Sequence, residues 1–257
     1  MVRHYTAFAE FGDLESLYDN HAKLSNAVDE HGVALTPPPI PVVAIICMFQ
    51  AMAAGACLMA HGAVPDDQGR WPGNQPPHWP HDIIHRDIKP RNYFISSSES
   101  SVLWPKLPIA ALGDFGNAFD AVSLMGAGGS HRMGTERYMA PEQLPNYRTT
   151  FTVTPATNVF QIGVAILQLM HLQLPRLQAD FDTEEQDSVF PSFSADATFY
   201  PQALIDLAED CVQQVPRDRP TPVDLYLQIR DLASGYPDES NKEIPWRKYQ
   251  QGGEAIR

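Results

Sequence analysis

The stretch His85-Arg86-Asp87-Ile88-Lys89-Pro90-Arg91-Asn92 sets a carboxylate, a cation and a carboxamide at i, i+2 and i+5. The apolar run Tyr93-Phe94-Ile95 follows at once and predicts a strand. A second run, Ile109-Ala110-Ala111-Leu112, predicts another, and Asp114-Phe115-Gly116 comes just after it. Gly134-Thr135-Glu136-Arg137-Tyr138-Met139-Ala140-Pro141-Glu142 completes the series. Taken singly, an Asp, a Lys and an Asn close together are most often solvated loop residues or caps. Three such motifs in this order and at these separations are not a chance arrangement.

The rest of the chain is compatible with one large domain. It has 257 residues, 44% of them apolar, which leaves ample chain for a core. A net charge of −13 argues against a broad nucleic-acid or anionic-membrane surface, since both need excess Lys and Arg. Three cysteines, Cys47, Cys57 and Cys211, make no even framework and fit a reducing compartment. The Met1-Val2-Arg3-His4-Tyr5 start lacks the apolar core of a signal peptide. The expectation is an intracellular protein, cytoplasmic or nuclear. Twelve of its 23 prolines lie between Pro37 and Pro108, which predicts long irregular connections there.

No Lys, Arg, Asp or Glu occurs between Glu30 and Asp66, and Val42–His61 reads as a helix apolar all round. Such a helix is either a membrane span or a buried core helix. Small residues in its second half and the lack of flanking basic clusters favour the core. Thr154-Pro155 predicts a helix with the stripe Val159, Ile162, Ile166, Leu167 and Met170. Pro201 opens a second, with Leu204, Leu207 and Cys211 on one face. Thr221-Pro222 opens a third that stops near Gly235. Residues 63–80 and 180–187 read as exposed loops, and 236–257 as a polar tail. His78, His81 and His85 fail as a metal site, because no thiolate or carboxylate completes the set, and read better as surface histidines plus one loop residue.

The three motifs resemble the signature set of eukaryotic protein kinases, in the form of the serine/threonine class, over most of residues 5–232. On softer grounds, Phe11-Gly12-Asp13-Leu14 and Thr157-Asn158-Val159 resemble divergent fungal kinase-like proteins. The fold implied is α+β, mainly α: a kinase hinge and C-lobe over 1–235. The N-lobe is expected to be absent, since no Gly-x-Gly-x-x-Gly or Val-Ala-Ile-Lys pattern occurs in the sequence. Asp87 matches the base that accepts the proton of a protein hydroxyl, and Lys89 the cation near the γ-phosphate of ATP. Asn92 and Asp114 match the ligands of Mg²⁺. In the hinge, Ala7 and Ala9 match the backbone contacts to adenine, Thr6 the gatekeeper and Phe94 the floor under the purine. Asp13 matches the ribose contact and reads equally well as a helix N-cap.

Other positions carry regulatory or structural expectations. Arg86 matches the arginine that meets an activation-segment phosphate, with Ser123 and Ser130 as candidate acceptors. Thr135 resembles a threonine that contacts the catalytic loop. Glu142 and Arg219 match a buried structural pair, and Asn158 stands where most kinases brace the loop with Asp. Arg91 stands where basophilic kinases carry glutamate, which implies no preference for arginine upstream of the acceptor. The activity implied is transfer of the ATP γ-phosphoryl group to a protein Ser or Thr, weak in this chain alone; the alternative is a non-catalytic kinase-like binding module. The partners implied are ATP and a protein substrate, with no nucleic acid and no membrane.

Overall fold

A computed structural model describes residues 9–17, 19, 39–66, 68–74, 79–96, 109–121, 133–144, 152–171 and 199–236. Among the described residues, the core is carried by the helices α1 (Val42–His61), α2 (Pro155–His171), α3 (Gln202–Cys211) and α4 (Pro222–Ser234). Four short strands accompany them: β1 (Ile83–Ile84), β2 (Tyr93–Ser96), β3 (Ile109–Leu112) and β4 (Phe119–Asp120). The product is mainly helical, as expected for this fold class.

Helix α1 occupies the span that the charge-free gap predicted. It is long and apolar enough to cross a membrane, yet it packs against α4, α2 and β3, and most of its residues are buried. Ala44, Ala53 and Ala56 are fully buried, so the small side chains of this helix serve close packing. Cys47, Cys57 and Cys211 are buried, and burial pushes the Cys47 and Cys57 thiols up to about 12. Inert thiols of this kind act as small apolar groups.

The helix starts follow the expected prolines, with differences of detail. Thr221 Oγ1 accepts the Asp224 N–H (3.2 Å), an ordinary N-cap. At α2 the roles are reversed: Thr157 Oγ1 accepts the Thr154 N–H (3.2 Å). Gly235 ends α4 at φ −73°, so its left-handed freedom is unused; its N–H closes a tight turn onto Leu232 O (3.1 Å).

The strands form two antiparallel pairs. β2 pairs with β3 in the register Tyr93↔Leu112 to Ser96↔Ile109, as the two apolar runs predicted. β1 pairs with β4, Ile83↔Asp120 and Ile84↔Phe119. This second pair, two residues a side, is too short to leave a periodic signal. It places the residues before the catalytic loop against those after Asp-Phe-Gly. His81, read as a surface histidine, keeps a part-exposed side chain but is engaged there. His81 Nδ1 lies 2.6 Å from Asp120 Oδ2, and Trp79 meets the ring edge-on. Residues 63–80 are likewise not uniformly exposed, since Pro65 is buried and Trp79 Nε1 donates to Met59 O (3.2 Å). His78 and 180–187 lie outside the described residues.

Candidate active site

The loop between β1 and β2 holds one carboxylate from several sides. Asp87 is only 6% exposed. Its Oδ2 accepts from Lys89 Nζ (3.0 Å) and its Oδ1 from Thr135 Oγ1 (2.7 Å), while Lys89 Nζ also donates to Thr135 Oγ1 (2.6 Å). Asn92 Nδ2 donates to the Asp87 carbonyl (2.8 Å) and reaches toward Oδ2 (3.4 Å). Charge-assisted bonds of this kind fix the orientation of a carboxylate as well as its position. Asp87, Lys89, Asn92 and Thr135 are thus brought together.

The loop backbone around Asp87 is held just as closely. Arg86 has φ +67°, uncommon for a non-glycine residue and costly by about 1–2 kcal/mol, so the surroundings must enforce it. Gly134 enforces it from one side: at φ +119° it lies so close that a Cβ there would overlap the Arg86 carbonyl oxygen. Asn158 holds the other side. Its Oδ1 accepts the His85 N–H (2.9 Å) and its Nδ2 donates to Ile83 O (2.9 Å). The lost charge at this position therefore does not remove the brace; a carboxamide gains a donor that a carboxylate lacks. Two glutamines that the motif reading passed over, Gln143 and Gln161, are fully buried against the same loop. The signal for Gln161 was a carboxamide inside the apolar stripe of α2, three residues after Asn158.

His85 ties this loop to the Asp-Phe-Gly turn. Its Nδ1 accepts the Asp87 N–H (3.3 Å), so Nε2 carries the proton that goes to Gly113 O (3.0 Å). Burial pushes its pKa down, which matches the neutral ring these two bonds require. Phe115 meets His85 edge-on at 4.8 Å. Asp114 follows in the left-handed region at φ +57°, with its side chain exposed. Gly113 N–H donates to Asn92 O (2.8 Å), which places Asn92 and Asp114 at one end of the β2–β3 hairpin. With Asn92 Nδ2 committed to Asp87, its Oδ1 and the Asp114 carboxylate form a pair of hard oxygen donors. That set suits Mg²⁺, which binds through one or two carboxylates together with substrate phosphates. Among the described residues no cluster of three or more His, Cys, Asp or Glu could hold a metal unaided.

The edge that the sequence matches to adenine is built mainly by backbone pairing. Phe11 N–H donates to Ile95 O (3.1 Å) and Ile95 N–H to Gly12 O (2.8 Å), and Asp13 bridges Phe94. Alternation along β2 buries Tyr93 and Ile95 and leaves Phe94 39% exposed. The Phe94 ring lies on Gly113, where an added Cβ would come within 2.6 Å of it. Of the two readings of Asp13, the cap is visible: Oδ1 accepts from Ser16 N (2.9 Å) and Ser16 Oγ (3.0 Å). Ala9 is described at the start of this edge; Thr6 and Ala7 lie outside the described residues. Arg91 is largely exposed, with Nε 3.7 Å from Glu15 Oε2.

Glu142 and Arg219 meet as expected for a structural pair, with both side chains fully buried. The contact is bidentate, Nη1 to Oε1 at 2.7 Å and Nη2 to Oε2 at 2.9 Å. Thr157 Oγ1 (2.7 Å) joins Oε1, and the Ala156, Gln213 and Gln214 carbonyls take further Arg219 donors. Arg86 donates Nε to Asn117 O (2.6 Å) and stacks 4.5 Å over Phe119, so it is engaged with the segment after Asp-Phe-Gly. Burial pushes its pKa down. Ser123 and Ser130 lie outside the described residues.

Comparison with known proteins places this geometry. Residues 78–229 match the family model described as protein kinase domain. The chain is similar to the MAP kinase kinase PBS2 of Saccharomyces cerevisiae, 29% identical over 153 residues, which cover 55% of this chain and 20% of that protein. It is 28% identical over 194 residues to the mitogen-activated protein kinase kinase MST7 of Pyricularia oryzae, covering 63% of this chain and 42% of that one. With the serine/threonine-protein kinase ksp1 of Schizosaccharomyces pombe it shares 28% over 131 residues, 51% and 25% of the two chains. The chain thus spans less than half the length of each of these relatives. The family match covers more than half of the chain and contains the whole loop around Asp87, the hairpin that ends in Asp-Phe-Gly, and the Glu142–Arg219 pair: this chain belongs to the protein kinase domain family.

Proposed function

We propose that this chain carries the catalytic-loop half of a serine/threonine protein kinase. One observation supports the reading above others: the Asp87 carboxylate is shared by Lys89, Asn92 and Thr135 within a single hydrogen-bonded set. The acceptor Ser or Thr oxygen attacks the γ-phosphorus of ATP and forms the new P–O bond. The bond to the β,γ-bridging oxygen breaks and ADP leaves. Asp87 accepts the hydroxyl proton, and Lys89 offsets negative charge on the phosphoryl oxygens. Asn92 and Asp114 would hold Mg²⁺, which supplies charge neutralisation along the phosphate chain. Phe94 provides an apolar face for the purine, with Ala9 and Asp13 along the same edge; Ala7 is carried over to adenine from the motif match alone. An Arg86 contact to phosphate on Ser123 or Ser130 is the regulatory part of the reading.

The 257 residues contain no Gly-x-Gly-x-x-Gly or Val-Ala-Ile-Lys pattern, the parts that would cover the phosphates, so this chain alone binds Mg·ATP weakly. That same feature favours the second reading, a kinase-like binding module without catalysis. The two readings separate in a transfer assay on the chain alone and fused behind a kinase N-lobe. Transfer in the fusion, lost by about 10²–10⁴-fold in Asp87→Asn with nucleotide binding retained, supports the first. No transfer in either form, or full activity of Asp87→Asn, overturns it.

A further inference from the structure

Helix α2 presents two carboxamides, three residues apart, to the catalytic loop, and both bond in one pattern. Asn158 takes the carbonyl of Ile83 and the N–H of His85. Gln161 takes the carbonyl of Arg86 through Nε2 (2.9 Å) and the N–H of Ile88 through Oε1 (3.1 Å). A step of three residues on the helix thus matches a step of three on the loop. Each side chain bonds a C=O and the N–H two residues later, as a residue of a neighbouring parallel strand would. The second pair flanks Asp87 on both sides.

The set continues through Gln143, which follows the Ala-Pro-Glu turn. Gln161 Nε2 also donates to Gln143 Oε1 (3.1 Å). Gln143 Oε1 accepts the Ala140 N–H (2.9 Å), and its Nε2 donates to Met133 O (3.0 Å) and to Arg86 O (3.2 Å). Both glutamines are fully buried, and every donor and acceptor on them is used. An amide turned end for end would set oxygen against the Arg86 carbonyl, so both orientations are determined. Satisfied buried networks hold one geometry because each broken bond strands a polar atom.

We infer that Gln161 and Gln143 form an uncharged interlock that positions Asp87 and couples its backbone to the anchored end of the activation segment at Met133 and Ala140. They are positioning residues, and the inference rests on Asp87 as the base of the proposed transfer. The order of the loop and the order of the segment become one equilibrium: loosening either removes partners from the other.

Amide hydrogen exchange on the full chain tests this without any need for activity. Gln161→Leu should raise exchange about tenfold or more in 85–92 and also in 133–144, with α4 unchanged within about twofold. A rise confined to 85–92, or an equal rise everywhere, overturns the interlock. Should Gln161→Leu fail to fold, Gln161→Glu keeps the size and the Ile88 acceptor, but its second oxygen donates only when protonated. Protection of both segments in Gln161→Glu, relative to the parent, should fall several-fold as pH rises from 5 to 9. His85, Arg86, Asp87, Lys89 and Arg91 in one tied segment, Glu136, Arg137 and Glu142 in the other, and Arg219 beside Glu142 are common to both proteins, so the difference isolates the new carboxyl. A pH-independent difference overturns the inference. In a fusion competent for transfer, Gln161→Leu should lower kcat about tenfold and leave the KM for ATP within twofold; the reverse split also overturns it. Absence of transfer in the parent fusion counts against the proposed kinase function alone, since exchange still judges the interlock.

Discussion

The catalytic loop leads into β2 and the edge proposed for adenine pairs with it, and the two are held in opposite ways. On the loop side, buried side chains from α2 and the Ala-Pro-Glu turn take up the backbone groups around Asp87, and Thr135 bonds its carboxylate. On the other side the chain pairs with itself through Phe11, Gly12 and Ile95, Phe94 stands part-exposed, and Asp13 caps its own turn. Phosphoryl transfer needs a carboxylate aimed to a fraction of an ångström, so side-chain identity is constrained there. An aromatic base needs mainly a flat apolar face and backbone groups, which many sequences supply.

The largest way to break this contrast is at the support of the loop side. Arg219→Met strands Glu142, buried and beside Gln143, and should cost about 3–5 kcal/mol, roughly 6–20 °C in Tm by thermal unfolding. A loss within about 1 kcal/mol would mean that the pair contributes little and the carboxamides hold the turn unaided. Phe94→Ala should act on the other side only. It should weaken nucleotide binding by about 1–3 kcal/mol, the range of aromatic–base stacking, in a titration of the lobe-restored fusion. Its stability should stay within about 0.5 kcal/mol, as for a part-exposed side chain away from the core. Equal losses of stability and binding would merge the two regions into one.

Acid supplies the smallest and sharpest test. Burial pushes the His171 pKa down from 6.5 to about 4, and that of His85 down as well. A depressed histidine pKa means that the unfolded chain binds the proton more readily. This stability is complete above about pH 6.5 and is lost as pH falls toward 4. His171 is half-buried, so after solvent screening its share is about 1 kcal/mol, or about 2–4 °C in Tm. His171→Gln should remove that share of the acid sensitivity at the far end of α2 and leave the share of His85 on the catalytic side. An unchanged pH profile in this variant would contradict the assignment.

The parts legible in the sequence were those with long periodicity or dense motifs. Val42–His61 was legible because twenty residues without charge leave few alternatives. β2 and β3 were legible from short apolar runs beside turn residues, and Asp87, Lys89, Asn92 and Asp114 from their spacing. β1 and β4 were not, since two residues carry no period, and the His81–Asp120 contact they create was hidden with them. Asn158 stands out in the sequence as an amide in place of an acid, but the use of its second donor depends on the Ile83 carbonyl that the fold sets beside it. Gln143 and Gln161 escaped because a glutamine acquires meaning only through what surrounds it: the same side chain on a helix exterior would be solvated. The cap at Asp13 illustrates the converse, a local contact within three residues that sequence alone can foresee.

The interlock of amides has a further consequence in salt. Ion pairs at the surface, such as Arg70 with Asp66, weaken as counterions accumulate, and a chain of net charge −13 gathers them readily. Hydrogen bonds between neutral amides carry no such dependence. The backbone on both sides of Asp87 is therefore held by groups that dilute buffer and concentrated brine leave alike, and ionic strength acts on this loop only through the part-buried Lys89 contact to the Asp87 carboxylate.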